Sequence, residues 1–310
     1  MSIIAEYTNG NTEVKLYNDG TKIRVTNGDT AILTHPESMD VKITDYCNLG
    51  CSFCHESSTE KGKHADLGRL LDVLSELPPG VELAIGGGNP LDHPSLIPFL
   101  EKLNEKGYIP NITINAFHAC TYPDLVRELT ERCLVYGIGI SMTSISPSAI
   151  QEVSNNLPKT SNVVFHVING LTPIDICLPE LNRLTRLVGL EETKVLILGY
   201  KTFGRGVQFA DKKGPFLVAE HYDWYTKIGK YLRQEGFVFS FDNLALEQLN
   251  IKRFFDAKTW SRCFMGNDGK YTMYIDAVKQ QYAKSSTSVD RVNFNDTTLT
   301  DFFKSLNENN

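Results

Sequence analysis

The sequence predicts an α/β fold: a partial (β/α)6 barrel of the TIM type, with a small N-terminal β-meander before it and an α/β C-terminal extension after it. Three observations predict it. Short β-prone runs recur through the middle of the chain with amphipathic helical patterns between them, the rhythm of a parallel sheet with crossover helices. The first stretch, EYTNGNTEVKLYNDGTKIRVTNGDTAIL, instead separates its β-prone runs by Asn-Gly and Asp-Gly turn signals. And 310 residues, 41% hydrophobic and 22% charged, are enough for one large domain or two modest ones.

Taken in order, residues 1–38 read as the meander, with turns at Asn9-Gly10, Asn18-Asp19-Gly20 and Asn27-Gly28. Residues 39–242 read as the core. Its strands are DVKITDY (Asp40 to Tyr46), VELAIGG from Val81, NITINAF from Asn111, LVYGIGISM from Leu134, NVVFHVIN from Asn162 and KVLILGY from Lys194. Between them, Leu67, Leu70, Leu71 and Leu74 stand at helical spacing, and SLIPFLEKLNEKG ends on Gly107 as a C-cap. YPDLVRELTER and CLPELNRLTRL repeat the pattern, and HYDWYTKIGKYLRQEG adds another helix before a possible seventh strand, FVFSF. Residues 243–310 form the extension.

A net charge of -6 makes the chain a poor default binder of nucleic-acid backbones. The N-terminus has no basic leader and no apolar core of a signal peptide, and no run approaches the length of a membrane helix. These features predict a cytoplasmic protein, where clustered cysteines read as metal ligands or redox groups before disulfides.

Three of the seven cysteines fall within CNLGCSFC, Cys47 to Cys54, in the loop after the first core strand. Parallel α/β folds bind ligands at the C-terminal ends of their strands, where this loop stands. Three thiols in a reducing compartment make a poor disulfide. Cys47, Cys51, Cys54 and His55 would make four zinc ligands, although adjacent residues rarely chelate one tetrahedral ion. A redox pair of Cys51 and Cys54 leaves Cys47 without a role. Three thiolates can also hold three irons of a [4Fe–4S] cluster and leave the fourth open to a ligand.

CNLGCSFC resembles the CxxxCxxC signature of the radical SAM superfamily, with Phe53 at its aromatic place. A second stretch, IGGGNPLDHP from Ile85 to Pro94, is similar to the family's GGE-type segment, with Gly87, Gly88 and Asn89 on its three positions. Asn89 stands where the family often has Glu, so a hydrogen-bonding amide replaces a charge. The resemblance implies one [4Fe–4S] cluster on Cys47, Cys51 and Cys54, and S-adenosylmethionine (SAM) on its open iron. It implies reductive cleavage of SAM to a 5′-deoxyadenosyl radical that abstracts hydrogen from a substrate. An external electron donor such as flavodoxin or ferredoxin, and sensitivity to oxygen, go with that chemistry. The glycines are expected to let the backbone approach SAM and present carbonyls to its ammonium.

Further contacts to SAM are expected from polar residues at strand ends: Asn115, Ser141, His166 and Asn169, with Gly199 packing against the cofactor. Each of these also reads as a strand-end cap or a satisfied core polar group. Lys201 and Arg205 would meet an anionic group of the substrate, or form a solvated basic turn. Cys120 is a candidate hydrogen-atom donor or a buried structural thiol, and Cys133, Cys177 and Cys263 are scattered. The stretch from Cys263 is similar in outline to the auxiliary-cluster tails of peptide-modifying members, but it has no closing cysteines, so one cluster is expected. A small molecule or nucleotide is then the leading substrate. A peptide held by strand addition to the meander is the alternative, and a non-catalytic iron–sulfur or zinc binding module is a third.

Overall fold

A computed structural model describes residues 2–157 and 162–308. The N-terminal residues form an antiparallel sheet of β1 (Ile3–Asn9), β2 (Thr12–Tyr17) and β3 (Lys22–Thr26), in that order. The turns fall where the Asn-Gly and Asp-Gly signals placed them. At Gly10, φ is +61° and a Cβ would meet the Ile32 carbonyl oxygen, so no other residue fits. The buried Asn9 side chain ties this sheet to the next segment: its Nδ2 donates to the His35 carbonyl and its Oδ1 accepts from the Thr34 amide.

The core then alternates strand and helix: β4 (Ser38–Thr44), α1 (Leu67–Leu74), β5 (Glu82–Gly87), α2 (Leu96–Glu105), β6 (Ile109–Asn115), α3 (Ala116–Thr121) and α4 (Pro123–Glu131). It continues with β7 (Gly137–Ser141), α5 (Pro147–Asn156), β8 (Val163–Ile168), α6 (Ile174–Val188), β9 (Thr193–Leu198), α7 (Arg205–Tyr231) and β10 (Phe237–Phe241). The six expected strands are β4 to β9, and β10 pairs parallel to β9 as the seventh. Helix α7 runs well upstream of the predicted HYDWYTKIGKYLRQEG, because two helical stretches join across a break at Gly214. The helices start where capping residues allow: Asp66 accepts from the Arg69 amide ahead of α1, and Ser146 from the Ala149 amide ahead of α5.

After α8 (Asn243–Gln248) and α9 (Ala257–Cys263), the chain returns to the start of the sheet. Strand β11 (Thr272–Asp276) pairs parallel to β4, with Tyr274 opposite Asp40. Antiparallel β12 (Gln281–Ala283) and β13 (Arg291–Asn293) extend that edge, and α10 (Leu299–Glu308) packs Leu299, Phe302 and Phe303 into the core. The result is one open ten-stranded sheet, ordered β10-β9-β8-β7-β6-β5-β4-β11-β12-β13.

Strand periodicity sorts the residues of this sheet. Met39, Val41 and Ile43 of β4, with Ile112 and Ile114 of β6, are buried on the face that the helices cover. Asp40 and Lys42 of β4, Thr113 of β6, His166 of β8 and Tyr274 of β11 line a cavity on the other face. Among the described residues, no helix is long and apolar enough to cross a membrane.

Candidate active site

The cysteine loop leaves β4 at Thr44 and is held down by its own backbone. The Cys47 amide donates to the Thr59 carbonyl at 3.0 Å, and the Thr59 amide to the Asp45 carbonyl at 3.1 Å. A tight turn follows, with the Cys54 amide on the Cys51 carbonyl. This fold puts Cys47, Cys51 and Cys54 on one cavity of about 300 Å³, unpaired and partly buried. Burial raises the Cys47 and Cys51 thiols above the usual range, and the thiol of Cys54 raises both further.

Distant segments clamp the loop from three sides. Arg205 donates from Nε to the Cys51 carbonyl at 2.8 Å and from its guanidinium to the Ser58 carbonyl at 2.9 Å, and its amide bonds the Cys54 carbonyl. Arg205 is therefore spent on the loop and is not free for a substrate anion. Lys42, only 3% exposed, reaches Asp45 at 2.5 Å, Glu56 at 2.7 Å and Asp276 at 3.5 Å. It thereby ties the loop both to β4 and to β11. Burial opposes ionisation of Glu56, but hydrogen bonding from His55 and the Lys42 ammonium outweigh it and hold the carboxyl below the usual range. On the third side, a ring nitrogen of His118 on α3 stands 2.9 Å from Asn48 Oδ1.

The glycine segment at the end of β5 touches the same loop, which gives its glycines a structural reason beside the approach to SAM expected for them. The Gly88 amide donates to the Thr44 carbonyl at 2.7 Å and the Asn89 amide to the Tyr46 carbonyl at 2.6 Å. A Cβ on Gly88 would lie 2.1 Å from the Tyr46 carbonyl oxygen, and one on Gly87, at φ +123°, would lie 2.4 Å from that of Thr44. The glycines admit the backbone that carries the cysteines. Both also line the cavity.

The remaining predicted site residues divide. Phe53, Asn115, Ser141, His166 and Gly199 line the cavity with the cysteines. Phe53 packs edge-on to Phe209 of α7 with ring centres 5.8 Å apart. Asn115 caps α3 through the Phe117 amide while its Nδ2 reaches Thr143. Burial lowers His166 to about 4, so its ring is neutral at neutral pH. It lies over Gly139, where any Cβ would strike it.

Three predicted residues stand elsewhere. Asn89 is fully buried, caps the turn at Pro90 by accepting from the Leu91 amide, and donates to Asp92, so its side chain is a structural cap. Asn169 is fully buried as well, with Nδ2 on the Leu198 carbonyl and Gln248. Cys120 does not line the cavity; it sits on α3, facing Glu152 and Asn156 of α5, and burial raises its thiol to about 11.

Sequence reasoning missed Asp40, Lys42, Glu56, Thr113 and Tyr274, all of which line the cavity. Alternation along DVKITDY could have put Asp40 and Lys42 on one face. Nothing local announces Tyr274, which arrives through the pairing of β11 with β4.

The donor set suits a cluster. Among the described residues, no three His, Cys, Asp or Glu side chains converge closely enough to hold a single metal ion. A [4Fe–4S] cluster takes one thiolate per iron and so accepts three thiols spread along a loop. Three unpaired thiols lining one cavity meet that need.

Comparison with known proteins gives three findings. The radical SAM superfamily matches residues 41–171. GTP 3′,8-cyclase of Alkaliphilus oremlandii (strain OhILAs) is 27% identical over 147 residues, 44% of this chain and 45% of that one. The probable GTP 3′,8-cyclase of Methanothermobacter thermautotrophicus is 32% identical over 147 residues, 45% of this chain and 47% of that one. The match thus spans less than half the length of either relative. Streptococcus suis SuiB bound to precursor peptide SuiA superposes over 88% of this chain and 65% of its own, with a TM-score of 0.58 and 14% identity. SuiB bound to S-adenosylmethionine gives 0.58 at 13% identity, over 88% of this chain and 66% of that one. At these identities the likeness is one of fold.

Proposed function

We infer from the chain's membership of the radical SAM superfamily that it is an enzyme holding one [4Fe–4S] cluster on Cys47, Cys51 and Cys54. SAM would lie beside Gly87 and Gly88. The observation that carries this reading is that three unpaired thiols of one loop line one cavity at the C-terminal ends of parallel strands. When bound, cluster and SAM supply a 5′-deoxyadenosyl radical that takes hydrogen from the substrate.

The chain's own residues bind, orient and shield. Arg205, Lys42 and His118 fix the loop so that the thiols keep one arrangement. Gly86, Gly87 and Gly88 line the cavity, where their backbone would meet the amino group of SAM. Asn115 and Ser141, paired at adjacent strand ends and lining the cavity, would meet the ribose and carboxylate of SAM. Phe53, packed against Phe209, would limit the access of water to the loop side. Residues 39–242 would form the catalytic core, with 1–38 and 243–310 flanking it. A flavodoxin or ferredoxin would deliver the electron, in the cytoplasm, and activity would require anaerobic handling because the open iron is exposed to oxygen.

The substrate reads as a small molecule or nucleotide, since the cavity is walled by the sheet and by the loop. A peptide substrate is the second reading. Ile3 of β1, with Ile23 and Val25 of β3, are exposed on the two edge strands of the N-terminal sheet, where a strand could add.

Anaerobic reconstitution followed by SAM and dithionite tests the proposal. The expected result is about four irons per chain, lost in Cys51→Ala and kept in Cys263→Ala, with release of 5′-deoxyadenosine. About eight irons, or a reconstituted chain that releases no 5′-deoxyadenosine, would refute it; the latter would leave a binding module.

A further inference from the structure

We propose that Asp40 is the substrate-recognition residue of this cavity, and that the substrate brings it an amino or other N–H donor group and is not a polyphosphate. The inference rests on the radical SAM reading above and names the substrate class for the same site.

Asp40 lies on β4, four positions before Thr44, which puts it roughly 13 Å below the strand end that carries the cysteine loop. Its side chain is exposed, and it lines the cavity. No ion pair or hydrogen bond holds it among the described residues. The protein packed around the cavity raises its pKa, the Lys201 ammonium lowers it, and Asp268 and Asp242 raise it again. A carboxylate that is open to the cavity and bonded to no protein group has its acceptor oxygens available to a donor on a ligand. His166, across the cavity on β8, is likewise without a side-chain partner among the described residues, and its neutral ring can donate or accept.

The cations tell the other half. Among the described residues lining the cavity, only Lys42 and Lys201 carry a cationic side chain apart from histidine. Lys42 is engaged with three carboxylates, and Arg205, which does not line the cavity, with the Cys51 and Ser58 carbonyls. Lys201, whose Nζ donates to Ser286 at 3.0 Å, is the one left for an anion. One lysine beside Asp40 cannot neutralise a triphosphate, which needs several cations in concert. It can take a single carboxylate. The cavity therefore favours an amine-bearing compound, with a carboxylate at its other end where it has one, and its charge pattern repels nucleoside triphosphates.

The test is anaerobic equilibrium dialysis of the reconstituted full chain with SAM, against a defined mixture of lysine, ornithine, arginine, agmatine, spermidine, GTP and ATP, read by mass spectrometry. The wild type should retain one or more of the amines. Asp40→Asn should lower that retention roughly tenfold or more, the effect of losing a charge-assisted bond. Asp40→Glu should restore part of it. Iron content and SAM retention should be unchanged in both variants, and the melting temperature of Asp40→Asn should not fall, since no protein contact is lost. Preferential retention of GTP or ATP, retention of no amine, or amine retention indifferent to Asp40→Asn would overturn the proposal. So would a fall in SAM retention in Asp40→Asn, which would make Asp40 a cofactor contact. Failure of the parent reading shows separately, as a wild type that retains no SAM, and it would take this inference with it.

Discussion

The loop side of the cavity and its floor are built on opposite terms. On the loop side, the polar groups meet protein: Lys42 faces three carboxylates, Arg205 two side-chain-bonded carbonyls, and the Gly88 and Asn89 amides the backbone of the cysteine loop. On the floor, Asp40 and His166 have no side-chain partner among the described residues, and both line the cavity. Buried polar groups that find partners within the fold hold a geometry; those left open to a cavity wait for a ligand. Substitutions on the loop side should therefore cost stability and iron together, whereas substitutions on the floor should spare both.

The largest break in that contrast is expected from Lys42→Met. It would leave Asp45, Glu56 and Asp276 facing one another without the ammonium that joins them. Removing one partner of a buried ion pair costs about 3–5 kcal/mol. Denaturant unfolding of the apo chain should show that loss, and iron uptake should fall with it. A variant that unfolds like wild type and loads its iron would show that the network does not hold the loop.

Gly88→Val comes next. The new side chain would collide with the Tyr46 carbonyl, one residue from Cys47. Overpacking of this kind costs about 1–3 kcal/mol, and here the backbone that must yield carries a cluster ligand. Iron content and SAM affinity should fall together. Loss of SAM affinity at full iron would instead mean that the segment serves only the cofactor.

The sequence made legible what is local. The cysteine loop, the glycine segment and the strand–helix rhythm each lie within a short window, and the structure has them in that order. It was least legible where a residue's role depends on a partner far along the chain. Asn89 looked like a cofactor contact because it follows two glycines, but Asn-Pro is equally a cap-and-first-turn signal, and that is how it is used. Arg205 sits in a glycine-rich turn that suggested substrate, but its hydrogen-bond partners lie about 150 positions earlier, in the cysteine loop. Asp40 needed the sheet: only pairing of β4 with β5 and β11 shows that its face lines a cavity and not the helical layer.

A pH series reaches the floor. Burial depresses His166 from 6.5 to about 4, so the unfolded chain binds the proton more readily than the folded one. Its contribution is present above pH 6.5 and lost as pH falls toward 4. Between pH 7 and 5 the wild type should lose about 2 kcal/mol more than His166→Gln, at 1.36 kcal/mol per unit below the unfolded value. Equal losses would mean that the ring charges freely within the cavity.

The smallest effect expected separates charge from shape on the loop side. Arg205→Lys keeps the cation but not the planar fork that reaches the Cys51 and Ser58 carbonyls at once. An ammonium on a shorter side chain can satisfy one carbonyl, so about 1.5 kcal/mol should be lost, the lower end of the range for a charged hydrogen bond. The backbone contacts around Gly204 stay in place, so the loop should still fold and still take up iron. What should change is how firmly the iron is kept: release to a chelator should be faster than in wild type, while amine retention in the cavity should match it. If Arg205→Lys instead keeps its iron normally and loses bound amine or SAM, then Arg205 belongs with the ligand-facing groups, and the division between a loop side that holds and a floor that receives would have to be redrawn.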